Sequence, residues 1–391
     1  MQPHSPPTHC LVIGAGLAGA AVAASLARRG VAVQVLEAGA EPAIGASSLP
    51  VGMLTPHFSA DDNLFSRLTR AGAQLTWQAA KLVLREHLDW AVCGALEVQI
   101  ATPMRRSIKR PAALADASGE DMALWDRPAS AEQLTACRLG TGTAARWHEK
   151  AGWIRPAALV RAFLARPGVH FVPEARVAKL QRKGELWQAL GDDGETLATS
   201  HLVILAGGPA TDPLLEGRLH LIPVHGMVSW GCLEGIDAAA LPPFPVNGHG
   251  SFIPHVPGES GPIWQLGASF HRDPKLPLDE ALDHRANLAR LASLLPGAAQ
   301  ALAGRFASNQ VQAWSGVRAT TADHLPLAGP VDAQVFPGLW VSTGMGSRGL
   351  SFSVLCAELI AAQLFAEALP VEPKWAAALA AERGKRRRNA G

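Results

Sequence analysis

Six residues near the N-terminus constrain the fold of this chain more than any other feature. Gly14-Ala15-Gly16-Leu17-Ala18-Gly19 follows the apolar run Cys10-Leu11-Val12-Ile13 and opens a helix-like stretch over residues 20–29, which Gly30 ends. Val31-Ala32-Val33-Gln34-Val35-Leu36 then reads as a second buried strand that stops at Glu37. The pattern is the whole dinucleotide fingerprint of a βαβ unit. Gly14 permits the tight turn, Gly16 lets the backbone approach a pyrophosphate, and Gly19 lets helix pack on strand. The helix N-terminus supplies N–H groups and a positive dipole end for that pyrophosphate. Glu37, 23 residues after Gly14, stands where an acid binds adenosine ribose hydroxyls and disfavours a 2′-phosphate. Residues 10–27 are uncharged and mostly apolar, but no Lys or Arg precedes them, as a signal peptide requires. No other run approaches the roughly 20 apolar residues of a membrane helix.

Length and composition narrow the class. At 391 residues the chain predicts two or three domains. With 48% hydrophobic and 17% charged residues it can bury a large core and is not a disordered chain. A net charge of +2 gives no global field for nucleic acid. There is no Tyr, so a Tyr hydroxyl takes part in no mechanism. The cations are mostly Arg (27 Arg, 8 Lys), which favours planar recognition of carboxylate or phosphate. Five widely spaced cysteines without a C-x-x-C predict neither a disulfide framework nor a metal site, and a cytoplasmic location.

Later motifs point to FAD. Gly45-Ala46-Ser47-Ser48 follows the second strand and can lie along a ribityl-diphosphate chain, with Gly52 downstream. Leu202 opens a buried strand that ends in Ala206-Gly207-Gly208. Leu339-Trp340-Val341-Ser342-Thr343 precedes Gly344-Met345-Gly346-Ser347-Arg348-Gly349 and a helix beginning at Leu350, a second strand–Gly loop–helix N-terminus. Such a helix end can stabilise an anionic reduced flavin.

The ordered set GAGLAGA, GASS, ILAGG, GVRATTADHLPLAG and GMGSRGLSFSVLCAELIA resembles the D-amino-acid-oxidase-type flavoproteins. AIGASS, GWIRPAALV, LGASFHR and GSRGL resemble the FAD-dependent C-terminal domain of the bifunctional bacterial tRNA wobble-uridine enzymes (MnmC). The resemblance spans residues 9 to 368. It implies an α/β fold: a discontinuous Rossmann-like FAD-binding domain (9–90, 151–220, 316–375), an α+β substrate domain of mostly antiparallel sheet (91–150, 221–315), and a basic tail (376–391). It implies non-covalent FAD held by the glycines and small residues above, together with Leu17, Ala18, Ala38, Val177 and Leu350. His57 and Cys356 are the residues weighed as covalent attachment points. The implied activity is oxidation of a carboxymethylaminomethyl group on wobble uridine to an aminomethyl group and glyoxylate. The partners are then tRNA and, because the chain has no room for a second catalytic domain, a separate methyltransferase. Oxidation of a small amine such as glycine or sarcosine is the alternative.

Arg318, Arg348 and His225 are the candidate catalytic residues. In relatives an Arg at the position of Arg318 binds the substrate carboxylate; the other reading pairs it with Asp323. Arg348 reaches either flavin or substrate, or starts a helix in solvent. His225 lies on a strand that approaches the flavin. His271-Arg272 could touch substrate or RNA. Asp323 is expected to order the loop before Pro326. Arg105, Arg106, Lys109 and Arg110, with Arg386 to Arg388 in the tail, are the basic clusters available to phosphates.

Overall fold

The computed structural model describes residues 6–59, 61–99, 122, 125–271 and 279–383. Arg105, Arg106, Lys109, Arg110, Arg272 and Arg386 to Arg388 lie outside the described residues.

The fingerprint strand His9–Ile13 sits near the middle of a six-stranded sheet. The order is Leu327–Pro330, Leu339–Thr343, Val203–Leu205, His9–Ile13, Ala32–Leu36, Val169–Val172. All neighbours are parallel except the antiparallel edge pair Leu327–Pro330 and Leu339–Thr343. Strand side chains alternate between faces. Cys10 and Val12 pack among the helices Leu17–Ala27, Leu64–Val83, Pro156–Leu164 and Gly349–Phe365. Leu11 and Ile13 pack on the other face with Trp187 and Ala189 of an antiparallel sheet, Lys179–Lys183, Leu186–Leu190 and Thr196–Ser200. Both faces are covered, which is why these strands read as continuous apolar runs.

The helical run Gly346–Phe365 is long and apolar enough to cross a membrane by length and composition, contrary to the sequence expectation; 67% of its apolar window is buried inside the protein. It packs against Leu17–Ala27 and Leu64–Val83. In the latter helix Leu64, Leu68, Leu75 and Leu82 recur near helical spacing. Leu68 is fully buried, but Leu82 is 81% exposed. Leu82 lies in the last turn of the helix, which ends at Val83.

A second sheet of eight strands runs in the order Gln312–Thr320, Ile222–Cys232, Ile263–Gly267, Gly250–Val256, Val246–Gly248, Ala95–Val98, Ala145–His148, Arg127–Pro128. Only Val246–Gly248 with Ala95–Val98 is parallel. Helices Glu280–Leu294 and Pro296–Ala307 contribute Leu291, Leu294 and Leu302 to its core. The second helix follows at once because Pro296 occupies a first-turn position, where its missing N–H costs nothing. A small antiparallel sheet joins Gly52–Leu54, Gly152–Ile154 and Trp90–Val92. The expected domain boundary at 316 falls inside Gln312–Thr320, which pairs along its length with Ile222–Cys232.

The chain after residue 376 is not all tail. Arg383 donates to both Asp323 carboxylate oxygens (3.1 and 3.0 Å) and to the carbonyls of Leu325 and Pro326. Asp323 thus orders its loop, but through Arg383 and not Arg318. Burial raises the Asp323 pKa, while the Arg383 hydrogen bonds and charge, the Leu325 N–H and the Thr321 hydroxyl lower it further, to about 2 against 3.8 unperturbed. Stability from this carboxylate is present above pH 3.8 and is lost as pH falls toward 2. Asp323→Asn should flatten the acid limb of the stability–pH curve between those values, as read by chemical denaturation. An unchanged limb would show that the pair contributes nothing.

Candidate functional site

The two sheets meet around a cavity of about 1010 Å³. Its first wall is the glycine turn: Gly14, Gly16, Leu17 and Ala18. Gly14 has φ +104°, and a Cβ there would lie 2.7 Å from Gly207 Cα and 2.9 Å from the Ala206 carbonyl carbon. The helix Leu17–Ala27 has no side-chain cap, and Ser47 Oγ accepts from Leu17 N at 3.0 Å. Gly45, Ala46 and Ser47 continue the wall, with Gly52 and Val177. Gly45 has nothing within 4 Å of a built Cβ, so its missing side chain leaves open space on the cavity wall.

Glu37 and Ala38 line the same wall. Glu37 accepts from Ala15 N (2.7 Å), Ala38 N (2.8 Å) and Gly39 N (3.3 Å), so the carboxylate is fixed against the turn. A carboxylate has about four acceptor sites, which leaves capacity for ribose hydroxyls. Glu37→Gln should weaken retention of an adenosine dinucleotide about tenfold, since charged hydrogen bonds are worth about 1.5–3 kcal/mol. Cofactor occupancy after dialysis checks this, and full retention would contradict it.

The opposite contributions come from Ala206, Gly207 and Gly208, and from the loop Gly344, Met345, Gly346, Ser347, Arg348, Gly349 and Leu350. The helix Gly349–Phe365 also starts without a side-chain cap. Ser342 lines the cavity with a buried, unpartnered Oγ. Arg348 is half-buried and not in open solvent: it donates to the Thr55 carbonyl at 2.8 Å, and its Cζ lies 5.5 Å from the Phe65 ring centroid. Burial lowers its pKa to about 10, with Glu97 opposing, so it is cationic at neutral pH.

Arg318 comes from the edge strand of the eight-stranded sheet, opposite Val224. Its guanidinium crosses Gly226, where a Cβ would collide with Nη2. Its Nε is buried without a hydrogen-bond partner, and among the described residues no carboxylate pairs with it. Burial alone lowers its pKa. The cavity is thus lined by a desolvated cation with its donors unused, which suits a bidentate anion.

Three expected residues stand apart from the lining. Gly19 acts in packing, as its Cβ would meet the Gly14 carbonyl oxygen. Ser48 accepts from Trp314 Nε1 at 2.8 Å and donates to the Gly45 carbonyl, tying the loop to the substrate strand. His225 is held in strand pairing, its main chain exchanging two 2.9 Å hydrogen bonds with His271; its strand instead presents Val228 to the cavity. His57 and Cys356 also lie outside the lining, the latter wholly buried in the helix Gly349–Phe365. Phe270, Trp314 and Gln265 do line it. Gln265 binds both the Val51 N–H and carbonyl, and its one visible trace is a polar residue inside the apolar strand Ile263–Gly267. Among the described residues no group of His, Cys, Asp and Glu is placed to hold a metal.

Two helix N-termini whose N-cap residues supply no side-chain cap, the close-approach glycines and the fixed Glu37 fit FAD. Residues 9–363 match the family model described as FAD dependent oxidoreductase. The chain belongs to that family. FAD is therefore the cofactor of this oxidoreductase. Similar curated proteins are the tRNA 5-methylaminomethyl-2-thiouridine biosynthesis bifunctional proteins MnmC of Polaromonas naphthalenivorans, 49% identical over 95% of this chain, and of Paracidovorax citrulli, 47% over 96%. The chain spans 59% and 60% of those two proteins. Among solved structures, glycine oxidase from Geobacillus kaustophilus superposes with a TM-score of 0.75 at 21% identity, over 97% of this chain and 99% of that one. Iminodiacetate oxidase from Chelativorans gives 0.68 at 19%, over 94% and 98%. These two likenesses show the shared fold.

Proposed function

We propose that this FAD-dependent oxidoreductase oxidises the C–N bond of a carboxymethylaminomethyl group on the wobble uridine of tRNA. The observation that carries this reading is the half-buried Arg318 guanidinium on the FAD cavity, whose buried Nε has no hydrogen-bond partner among the described residues. The substrate group ends in a carboxylate two atoms from its secondary amine, so an anchored carboxylate holds the reacting C–H at a fixed place. The MnmC relatives, named for making 5-methylaminomethyl-2-thiouridine, point to this nucleoside as the bearer of the group.

The C–H of the carboxymethyl carbon is broken and that carbon forms an imine with nitrogen. FAD, bound non-covalently, supplies the two-electron oxidant. Water then splits the imine into glyoxylate and the aminomethyl nucleoside. Arg318 holds the carboxylate, and the neutral amine needs no strong protein base. Arg348, fixed by Thr55 and Phe65, adds a further positive charge to the lining. Reaching a methylaminomethyl group requires a methyl transfer to the new amine, so a methyltransferase is the enzyme that must follow.

The test is to incubate FAD-loaded protein with tRNA carrying the carboxymethylaminomethyl uridine, digest it, and weigh the nucleosides. The expected products are aminomethyl nucleoside and glyoxylate in equal amounts. An unchanged nucleoside, with free glycine or sarcosine oxidised instead, would contradict the proposal and leave a small-amine oxidase.

A further inference from the structure

Phe270 is a large apolar side chain on the cavity lining, yet it is 58% exposed. Its ring lies 5.0 Å from the Arg318 Cζ. Its backbone surroundings are firmly held. Ser269 N donates to the Met227 carbonyl, and His271 exchanges two hydrogen bonds with the His225 main chain. His271 Nε2 meets the buried Asp283 at 2.8 Å, and Arg290 donates to the Ala268 carbonyl. A fixed segment therefore presents one exposed aromatic ring beside the one cation of the lining that has no partner among the described residues.

We infer that Phe270 is a specificity-determining residue, on which the pyrimidine ring of the substrate nucleoside stacks while its carboxylate is held by Arg318. The inference rests on the functional reading above. Four bonds separate the ring carbon from the carboxylate carbon, a reach of about 5 Å. With a charge-assisted contact of about 2.8 Å added, a ring laid on the exposed part of Phe270 is within range of the guanidinium. Stacking of bases on aromatic side chains is sequence-tolerant and is worth about 5- to 150-fold in affinity by alanine substitution. Carboxylate binding uses the in-plane edges of a guanidinium, and the Arg318 Nε has no hydrogen-bond partner among the described residues.

The experiment titrates FAD-loaded wild type, Phe270→Ala, Phe270→Leu and Phe270→Trp anaerobically, following loss of the oxidised-flavin band. Two donors are compared: tRNA carrying the carboxymethylaminomethyl uridine, and N-ethylglycine, which has the same reacting group and no ring. The readout is the ratio of their half-saturation concentrations. Phe270→Ala and Phe270→Leu should reduce the preference for the nucleoside donor about tenfold or more, and Phe270→Trp should restore it. A preference that Phe270→Ala leaves unchanged, with both donors weakened together, would overturn the inference and make Phe270 a support for Arg318 alone. Wild-type flavin bleached by N-ethylglycine and not by the tRNA would instead overturn the functional reading, and this role with it.

Discussion

Replacing Arg318 by alanine raises the half-saturation concentration of a carboxylate-bearing amine by about 100-fold or more while FAD stays bound. Truncating one partner of a buried, hydrogen-bonded charge pair costs about 2–5 kcal/mol, and each 1.4 kcal/mol is tenfold. Arg318→Lys should recover only part, because an ammonium lacks the planar fork. The structure adds a separate expectation. Without substrate the guanidinium is desolvated, and its Nε has no partner. Removing an unpaired buried charge relieves a cost. Arg318→Met should therefore be at least as stable to heat as wild type, though inactive on such donors. Steady-state kinetics and a thermal melt read both. Unchanged half-saturation, or a large fall in melting temperature, would make Arg318 a structural residue.

Gly14→Ala should release FAD and lower the melting temperature together. An alanine Cβ would lie 2.7 Å from Gly207 Cα and 2.8 Å from Gly207 N, both backbone atoms that cannot rotate away. The φ of +104° adds strain for any residue with a Cβ. Strained backbone and overpacking each cost about 1–3 kcal/mol, so in a chain of 391 residues a fall of roughly 2–7 °C is expected. The turn cannot shift without moving the Gly14 N–H, which donates to Leu36 O at 2.8 Å and joins the first two strands. Visible absorbance of the purified variant and a melt measure the two effects. A variant with full flavin and an unshifted melt would show that the turn has slack.

These two residues also show what the sequence discloses. Gly14 to Glu37 is one continuous unit whose spacing reports its own backbone geometry, so its role was readable without the rest of the chain. The motif around Arg318 suggested a carboxylate anchor, the role proposed above, but the lack of a carboxylate partner for its guanidinium among the described residues was not readable. That depended on Asp323 pairing with Arg383, sixty residues away. The cavity wall from Val228, Ser251, Gln265 and Phe270 was hidden for the same reason, since it comes from several strands brought together only by the eight-stranded sheet. The position of His225 off the lining was not readable either, because a strand near the cavity presents only alternate side chains to it. The tie of the Ser48 hydroxyl to Trp314 and Gly45 was hidden because Trp314 is 266 residues away.

The most direct test of the central claim is anaerobic bleaching of the oxidised-flavin band by tRNA carrying the carboxymethylaminomethyl uridine, against the same tRNA without that group. The account predicts bleaching by the modified tRNA alone, at concentrations far below those at which free glycine or sarcosine acts. Bleaching by free glycine or sarcosine at low concentration, with the modified tRNA inert, would contradict it.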